Sequence, residues 1–335
     1  MSEKIISLEE VQKIAEQALL GAGATQDNAA AVARSTYLAE RDGIRSHGLV
    51  YVPIYAEHVM CGKVVGDAVP KVELTRASAV RVDANSGFAH PAIDAGWSKF
   101  TDAAKDTGVG VLTVHNSYNC GVLGHHAQRL AEEGLLGLCF THAPASIAPT
   151  GASTPVIGTN PFALAVPDGK GGSAIAIDQS ASVVAKSEIL LRSRNGEAIE
   201  SHWAFDADGQ PTTDADAALK GSMAPAGGYK GFGIGLVAEL LASCLAGAVL
   251  SKDASPFAGT KGGPPSTGQC FIAFDPSAFS GDSFSTQVSS LVAAIAEQEG
   301  AHVAGSKGKA NRARNERDGV SVPLTLLDQI QGYAA

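Results

Sequence analysis

The chain has 335 residues, of which 45% are hydrophobic and 18% charged, so it can bury a sizeable core in one large domain or two ordinary ones. Lysine and arginine number 25 against 34 acidic residues, and the resulting net charge of −9 excludes a general electrostatic surface for nucleic acid or anionic lipid. A small-molecule partner is therefore expected, with no nucleic acid and no membrane.

The cysteines and the most apolar segment narrow the class of protein further. Five cysteines are scattered without CxxC or CxxH spacing, which argues against a zinc ribbon and a disulfide framework. Reduced thiols fit the cytoplasm, and the N-terminal sequence does not have the pattern of a signal peptide. The run from Phe232 to Leu250 carries Glu239 near its middle, so a buried core helix is favoured over a membrane span.

The chain opens with two predicted helices. Ser7 and Glu10 form a capping box, and apolar residues then recur at helical spacing until Gly21. Thr25 can cap a second, alanine-rich helix that runs to about Glu40. A polar turn with the sequence RDGIRSHG follows these helices.

The middle of the chain mixes helices and strands. Pro91 and Gly108 bracket a helix, and residues 109–114 follow it as a β-branched strand. A second helix, HHAQRLAEEG, precedes the apolar strand LLGLCFTH, and AIAID at residues 174–178 predicts another strand.

The last third begins with a glycine-dense loop, GSMAPAGGYKGFG at residues 221–233, which runs into an apolar helix. Basic residues gather later, and a terminal helix is expected through Leu324 and Ile330. The basic residues are Lys307, Lys309, Arg312 and Arg314.

Three positions could carry chemistry, and each has an ordinary structural alternative. His47 lies in a polar turn where Ser46 can orient it, but a lone histidine in a turn is more often a surface or capping residue. Asp178 ends a strand, where it could orient a base or cap the next turn. Lys230 follows glycines that let backbone approach an anion, although a structural glycine turn explains GGYKG as well.

Several common site types have no support in the sequence. The P-loop GxxxxGK[ST], the Rossmann GxGxxG and the hydrolase GxSxG are all missing. His125 and His126 are adjacent, so they point in different directions on a helix, and no metal is expected.

Taken together, several segments resemble the type-2 malate/L-lactate dehydrogenase family over nearly the whole chain. GTNP at residues 158–161, in register with SHG upstream and with the Asp-x-x-x-Ser block from Asp178, is more specific than any single segment. The segments are GIRSHGL, GFAHPAI, NSYNCGVLGHH, APTGASTPVIGTNPFALAVP, IDQSAS and GGYKGFG.

The resemblance implies an α+β, non-Rossmann NAD(P)-binding fold with a central, mainly antiparallel sheet and a helical domain built from both termini. It divides the chain into a helical domain, residues 1–75 with 308–335, and a central cofactor-binding and catalytic domain, residues 76–307. It also implies a homodimer with sites near the subunit interface. The enzymes of this family are nicotinamide-dependent oxidoreductases whose substrates vary.

By the same resemblance, His47 is the proton donor, and Ser46 and Asp178 orient it and balance its charge. A buried carboxylate there is expected to favour the charged imidazolium. Substrate contacts are implied for Tyr51, Asn119, Ala145 and Ala181. Cofactor contacts are implied for Cys120, Gly121, Val122, Leu123, Gly124, Ala163, Leu164, Ala165, Tyr229, Lys230, Gly305, Ser306 and Lys307.

Two departures from the family pattern bear on the substrate. Tyr51 stands where many members carry an arginine that can grip the substrate carboxylate, and Asn119 replaces a histidine close to substrate. The contexts GFAHPAI and RDGIRSHG favour a reductase of cyclic ketimines, Δ1-pyrroline-2-carboxylate or Δ1-piperideine-2-carboxylate. The alternatives are a 2-hydroxy acid dehydrogenase of the 3-sulfolactate, malate or lactate type, and a non-catalytic metabolite-binding protein.

The cofactor expected is NADPH, with NADH as the alternative. The basic residues Lys307, Lys309 and Arg312 could meet a 2′-phosphate, although solvated surface lysines are the simpler interpretation.

Overall fold

The computed structural model describes residues 2–334. The strands are β1 (Glu3–Ile6), β2 (Lys71–Arg76), β3 (Ala79–Asp83), β4 (Val109–Ser117), β5 (Leu136–Thr141), β6 (Phe162–Pro167), β7 (Ser173–Gln179), β8 (Ala204–Phe205), β9 (Ser222–Met223), β10 (Thr267–Phe274) and β11 (Val320–Pro323). The α-helices are α1 (Leu8–Gly21), α2 (Gln26–Arg41), α3 (Val52–Met60), α4 (Ala89–Thr107), α5 (Leu123–Glu132), α6 (Lys186–Asn195), α7 (Ala215–Lys220), α8 (Tyr229–Glu239), α9 (Ser283–Ala296), α10 (Ser306–Asp318) and α11 (Leu324–Gln331).

One sheet of seven strands, in the order β2-β3-β4-β10-β5-β6-β7, organises the fold. Strands β3 and β4 are parallel, and the other neighbouring pairs are antiparallel. A doubly wound Rossmann sheet would be mostly parallel. The expected non-Rossmann α+β fold with a mainly antiparallel sheet is therefore confirmed.

Helices cover both faces of this sheet, as the side chains of strand β10 illustrate. Its side chains alternate between the faces. Phe271 and Ala273 pack with α4 and α5 in the main core, whereas Cys270 packs with Ala238 and Ala242 on the opposite face. Because both faces are covered, the central strands are apolar on both sides.

The two ends of the chain meet in a smaller helical core. Strand β1 pairs antiparallel with β11, and Ile6 and Val11 pack with Val320 and Leu327. The division into residues 1–75 with 308–335 and residues 76–307 stays a prediction. Its boundary at residue 75 falls inside β2, a strand of the large sheet.

Most of the elements predicted in chain order are present. The Ser7 hydroxyl accepts from the Glu10 N–H at 3.2 Å, which is one of the two bonds of a capping box, while the Glu10 carboxylate accepts from Lys4 instead of the Ser7 N–H. Thr25 precedes α2 without a side-chain cap. Helix α4 begins at Ala89, two residues before Pro91. Pro91 therefore lies in the first turn of the helix, where its missing N–H breaks no intrahelical hydrogen bond.

The prediction of a buried core helix from Phe232 to Leu250 is wrong in the single chain. The segment continues α8 into a π-helix, Leu240–Leu245, with one face on the sheet and the other exposed. Leu240 and Leu245 are 51% and 61% exposed. None of the helices within residues 2–334 is long and apolar enough to cross a membrane.

Candidate active site

His47 ends a short 3₁₀ turn, Arg45–His47, that follows α2. Behind this turn the Glu40 carboxylate accepts from the Leu49 N–H at 2.8 Å. A Cβ on Gly48 would lie 2.1 Å from the Glu40 Oε1. The glycine of the SHG motif is therefore needed because it lets a buried carboxylate fix the turn.

Ser46 contacts the histidine directly, since its hydroxyl oxygen lies 3.0 Å from His47 Nδ1. This contact leaves Nε2 for a ligand. Burial, with a smaller contribution from the charge on His125, lowers the pKa of His47 to about 4. The half-buried imidazole is thus neutral near pH 7 in the free chain.

Asp178 lies near the end of β7 and accepts from the Gly124 N–H at 2.8 Å. A Cβ on Gly124 would lie 2.8 Å from the Asp178 Oδ2, so the close approach of α5 depends on this glycine. Burial raises the pKa of Asp178, while the Gly124 N–H and His125 lower it.

That Asp178 favours a charged His47 stays a prediction, because the Asp178 carboxylate makes its hydrogen bond to the Gly124 N–H and not to the imidazole. The pKa of His47 is lowered mainly by burial and to a smaller extent by His125. Burial disfavours the charged imidazolium, so His47 is shifted toward its neutral form.

The segments expected to contact the cofactor surround β7 and its continuation. Strand β6 places residues 163–165 opposite residues 176–178, and the Ala304 carbonyl accepts from the Ala176 N–H at 3.0 Å. Past the strand, the Ala181 carbonyl accepts from the Ala226 N–H at 2.8 Å, beside the loop that leads into α8. One edge of the sheet thus brings these separate segments together.

Many of these residues turn their side chains away from solvent. Tyr229, Lys230, Ser306 and Lys307 are exposed, and Gly121, Leu164 and Gly305 are half-buried. Contacts at the buried positions would therefore come from backbone atoms. The buried ones are Cys120, Val122, Leu123, Gly124, Ala163 and Ala165. Burial also raises the pKa of the Cys120 thiol to about 12, so this cysteine stays protonated.

Left-handed glycines precede the starts of α5, α8 and α10, at Gly121 (φ +70°), Gly228 (φ +65°) and Gly305 (φ +92°). A Cβ on Gly227 or Gly228 would meet no atom within 4 Å, so backbone there is open to a ligand. Free N–H groups at helix starts attract anions, and the starts of α8 and α10 could take phosphate groups, whereas at α5 the Gly124 N–H is already bound by Asp178.

The basic cluster is largely occupied by contacts within the chain. Lys309 donates to the Ser173 carbonyl at 2.6 Å, and Arg312 binds Asp42 with two bonds of 3.0 and 2.9 Å. Lys307 is exposed at the second position of α10. Lys307 is therefore the member of the cluster best placed to meet a 2′-phosphate.

Tyr51 and Asn119 form a neutral wall beside His47. The Tyr51 ring is parallel to the imidazole, with centroids 6.3 Å apart, and burial raises the pKa of Tyr51 to about 12. Asn119 Oδ1 accepts from the Gly121 N–H at 2.7 Å and from the Tyr55 hydroxyl at 3.3 Å. Asn119 therefore links this wall to the loop before α5.

Ala145 and Ala181 lie on two other loops. Ala145 donates its N–H to the Ser251 carbonyl, and Ala181 donates to the Thr159 carbonyl. Ala181 is three residues beyond Asp178, so it extends the same edge of the sheet.

The contact of His125 with Asp42 was not predicted from the sequence. His125 Nε2 lies 3.2 Å from the Asp42 Oδ2. Burial raises the pKa of Asp42, but hydrogen bonds from His125, Arg312 and Arg41 outweigh it and hold this pKa far below the usual range. The partners are separated from Asp42 by 83 and 270 residues, so no local spacing could reveal the contact. Within residues 2–334 no group of three His, Cys, Asp or Glu side chains could hold a metal.

Comparison with known proteins agrees with this geometry. The chain is 40% identical to a (2R)-3-sulfolactate dehydrogenase (NADP(+)) of Chromohalobacter salexigens, over 99% of this chain and 98% of that protein. It is 36% identical to a Δ1-pyrroline-2-carboxylate reductase of Ancylobacter novellus, over 97% of this chain and 96% of that protein.

A solved structure gives the same result for the fold. The Δ1-piperideine-2-carboxylate reductase of Pseudomonas syringae superposes with a TM-score of 0.92 and 31% identity, over 98% of this chain and 99% of that chain. The family model described as malate/L-lactate dehydrogenase matches residues 6–331. The chain therefore belongs to the malate/L-lactate dehydrogenase family of oxidoreductases.

Proposed function

We propose that this enzyme reduces a cyclic ketimine carboxylate, Δ1-pyrroline-2-carboxylate or Δ1-piperideine-2-carboxylate, to L-proline or L-pipecolate with NADPH. The observation that carries the choice is the neutral, aromatic wall beside His47. Tyr51 stays protonated there because its pKa is raised to about 12. An aromatic face suits the iminium cation that forms when the neutral ketimine takes a proton from His47, and it suits a substrate with two anionic groups less well.

The residues of the chain divide the reaction between them. Ser46 holds His47 Nδ1, so that Nε2 faces the substrate nitrogen. A bound carboxylate beside the imidazole raises its proton affinity, which favours the imidazolium that protonates the nitrogen. Asp178, fixed by the Gly124 N–H, balances this charge.

The bound cofactor supplies the hydride that C2 of the substrate receives. The helix starts preceded by Gly228 and Gly305 would hold its phosphates, and Lys307 would meet the 2′-phosphate. NADH is the alternative cofactor.

The second candidate is a dehydrogenase of a 2-hydroxy acid, and its support is the 40% identity to a sulfolactate dehydrogenase. In that reaction the neutral His47 would act as a base on the substrate hydroxyl. Sulfolactate carries a carboxylate and a sulfonate, and Tyr51 and Asn119 provide no positive charge to bind either of these groups.

We further infer that the enzyme is a cytoplasmic homodimer. The five free cysteines fit a reducing compartment. The outer face of α8 and the π-helix is apolar and exposed, and such a face on a symmetric dimer is covered by a second copy. Its exposed residues are Ile234, Leu236, Val237, Leu240 and Leu245.

A substrate panel tests the proposal. Purified protein is incubated with NADPH and each of the two ketimines, pyruvate, oxaloacetate and 3-sulfopyruvate, and NADPH absorbance is followed. We expect the highest kcat/KM with a ketimine. A higher value with 3-sulfopyruvate would favour the second candidate, and cofactor binding with no turnover of any compound would favour a non-catalytic binding protein.

A further inference from the structure

A buried polar network links helix α8 to the two loops that lead to Ala145 and Ala181. Its four side chains are between 0% and 4% exposed, and Glu239 of α8 accepts hydrogen bonds from two of the others. The four are Asn160, Ser251, His142 and Glu239.

One backbone group fixes the direction of the hydrogen bonds in this network. The Gly268 N–H donates to His142 Nε2 at 2.9 Å, so the proton of the neutral ring is on Nδ1. Burial lowers the pKa of His142 to about 4, which keeps the ring neutral near pH 7. Nδ1 then donates to the Ser251 hydroxyl at 3.2 Å, and that hydroxyl donates to Glu239.

The other donors of the network also end on Glu239. The Ser251 N–H donates to Oε1 and Asn160 Nδ2 donates to Oε2, each at 2.7 Å. Asn160 also donates to the Gly235 carbonyl at 3.0 Å and accepts from the Ala143 N–H at 3.3 Å. Turning the Asn160 amide round would break these bonds, so the Asn160 amide nitrogen and the Ser251 N–H both face Glu239 as donors, and the Glu239 carboxyl group accepts from both.

The two loops leave this network beside the residues expected to contact substrate. The Ser251 carbonyl accepts from the Ala145 N–H at 2.9 Å. Thr159, which precedes Asn160, accepts from the Ala181 N–H at 2.8 Å. Asn160 itself has a φ of +34°, an unusual conformation that its side-chain bonds to Glu239 and Gly235 stabilise.

A buried carboxylate is expensive to desolvate, and a well-packed apolar side chain would serve stability at least as well. We propose that Glu239 is a positioning residue for the substrate site, whose carboxylate fixes the loops that carry Ala145 and lead to Ala181. The assignment rests on the proposed function, because it takes these alanines to border the substrate.

Glu239→Gln tests this role, because an amide nitrogen would face a donor whichever way it turned. We expect kcat/KM for the ketimine to fall at least about tenfold, mainly through KM, since small displacements near a bound substrate have large effects. The dissociation constant of NADPH should stay within about twofold of the wild-type value. Ser251→Ala, which removes one bond to the carboxylate, should have a smaller effect of the same kind.

Ser243→Ala is the matched control. Ser243 is equally buried in the π-helix that continues α8, but its hydroxyl donates to the Val249 carbonyl, outside the network. This variant should lose some stability with unchanged KM. If Glu239→Gln and Ser251→Ala also left KM unchanged, Glu239 would not be a positioning residue.

Hydrogen exchange of the Ala145 and Ala181 amides gives a readout that needs no turnover. Both amides should exchange faster in Glu239→Gln, or in Ser251→Ala if the first variant does not fold, but not in Ser243→Ala. Unchanged exchange in both network variants would overturn the inference. A wild-type protein that reduced no ketimine would instead contradict the proposed function, and the exchange data would still decide the role of Glu239.

Discussion

The surroundings of His47 and those of Glu239 are built in opposite ways. Around Glu239, the polar atoms of the side chains are buried and paired with one another. Around His47, the Ser46 and Asp178 side chains have one protein partner each. Polar groups with unused hydrogen-bonding capacity are available to a ligand, whereas saturated ones are not.

The contrast indicates a division of labour within one sheet. The buried network around Glu239 holds the backbone of the two loops in place. The polar groups at the end of β7 still have free hydrogen-bonding capacity, so they can bind substrate and cofactor. Changes at the end of β7 should therefore alter the chemical step, and changes in the network should alter binding geometry and stability.

The largest effect is expected for His47→Ala. If His47 donates the proton, turnover should fall by on the order of a hundredfold or more, since general acid catalysis contributes that much. NADPH binding, measured by fluorescence titration, should be nearly unchanged. Near-normal turnover with every active compound would make the assignment wrong, and Tyr51, Asn119 or His90 would become the next candidates.

Asp178→Asn should lower kcat/KM by about tenfold to a hundredfold, less than the loss of the acid itself. Burial raises the pKa of Asp178, so the wild-type carboxylate takes a proton, and its charge is lost, as the pH falls through this raised value. The variant should therefore lose that part of the acid limb in a profile of kcat/KM against pH.

The double variant of His47 and Asp178 sharpens this result. Because the two residues act on one proton, their defects should be non-additive, with the double variant close to His47→Ala alone. Multiplicative defects would indicate that Asp178 acts independently of the histidine.

Gly124→Ala should reduce kcat about tenfold although it replaces no catalytic side chain, because a displaced acid or base loses its alignment. Its Cβ would lie 2.8 Å from the Asp178 Oδ2 and push the carboxylate away. Gly263→Ala, where a Cβ meets nothing within 4 Å, is the control and should leave kcat at the wild-type value. Equal rates for both variants would contradict the importance of this contact.

Local patterns were sufficient for the elements and for the motif residues. The N-cap at Ser7 and the strand at residues 174–178 depend on neighbouring residues, and both are present. The helix at the GGYKG glycines is also present, but it begins at Tyr229, inside the segment that was predicted to be a loop. The absence of a Rossmann pattern also agreed with the antiparallel sheet, because that pattern belongs to a parallel strand–helix unit.

Long-range pairing could not be read from spacing. The bonds from Arg312 to Asp42 and from Ser251 to Glu239 join elements that only the folded sheet brings together. The apolar run after Phe232 was misjudged for a similar reason, since hydropathy does not tell a face buried within one chain from a face left exposed on it.

Acid should destabilise the network and the cleft together. Burial lowers the pKa values of His47, His126 and His142 to about 4 and that of His90 to about 3. The unfolded chain therefore binds more protons below about pH 6.5, and each histidine contributes a loss of about 1.4 kcal/mol per pH unit at most. The stability lost as the pH falls from 6.5 toward 4 is fully present above 6.5.

Urea unfolding at pH 7 and pH 5 measures this loss. His142→Gln should flatten the dependence of the unfolding free energy on pH, because it removes one of the buried groups that must take a proton on unfolding. His202→Gln, at an exposed position, should leave the slope unchanged. Identical slopes for the two variants would contradict a buried neutral His142.

The smallest effect is expected at the cofactor end of the cleft, from Lys307→Ala. An exposed lysine that meets a phosphate through solvent contributes little, so the preference for NADPH over NADH should fall only about fivefold. Lys309→Ala is the control, because Lys309 is bound to the Ser173 carbonyl and should affect stability rather than preference. The measurement is the ratio of kcat/KM with the two cofactors. If Lys309→Ala changed this ratio more than Lys307→Ala, the 2′-phosphate would lie further along α10, and the bond to β7 would have to open when the cofactor binds.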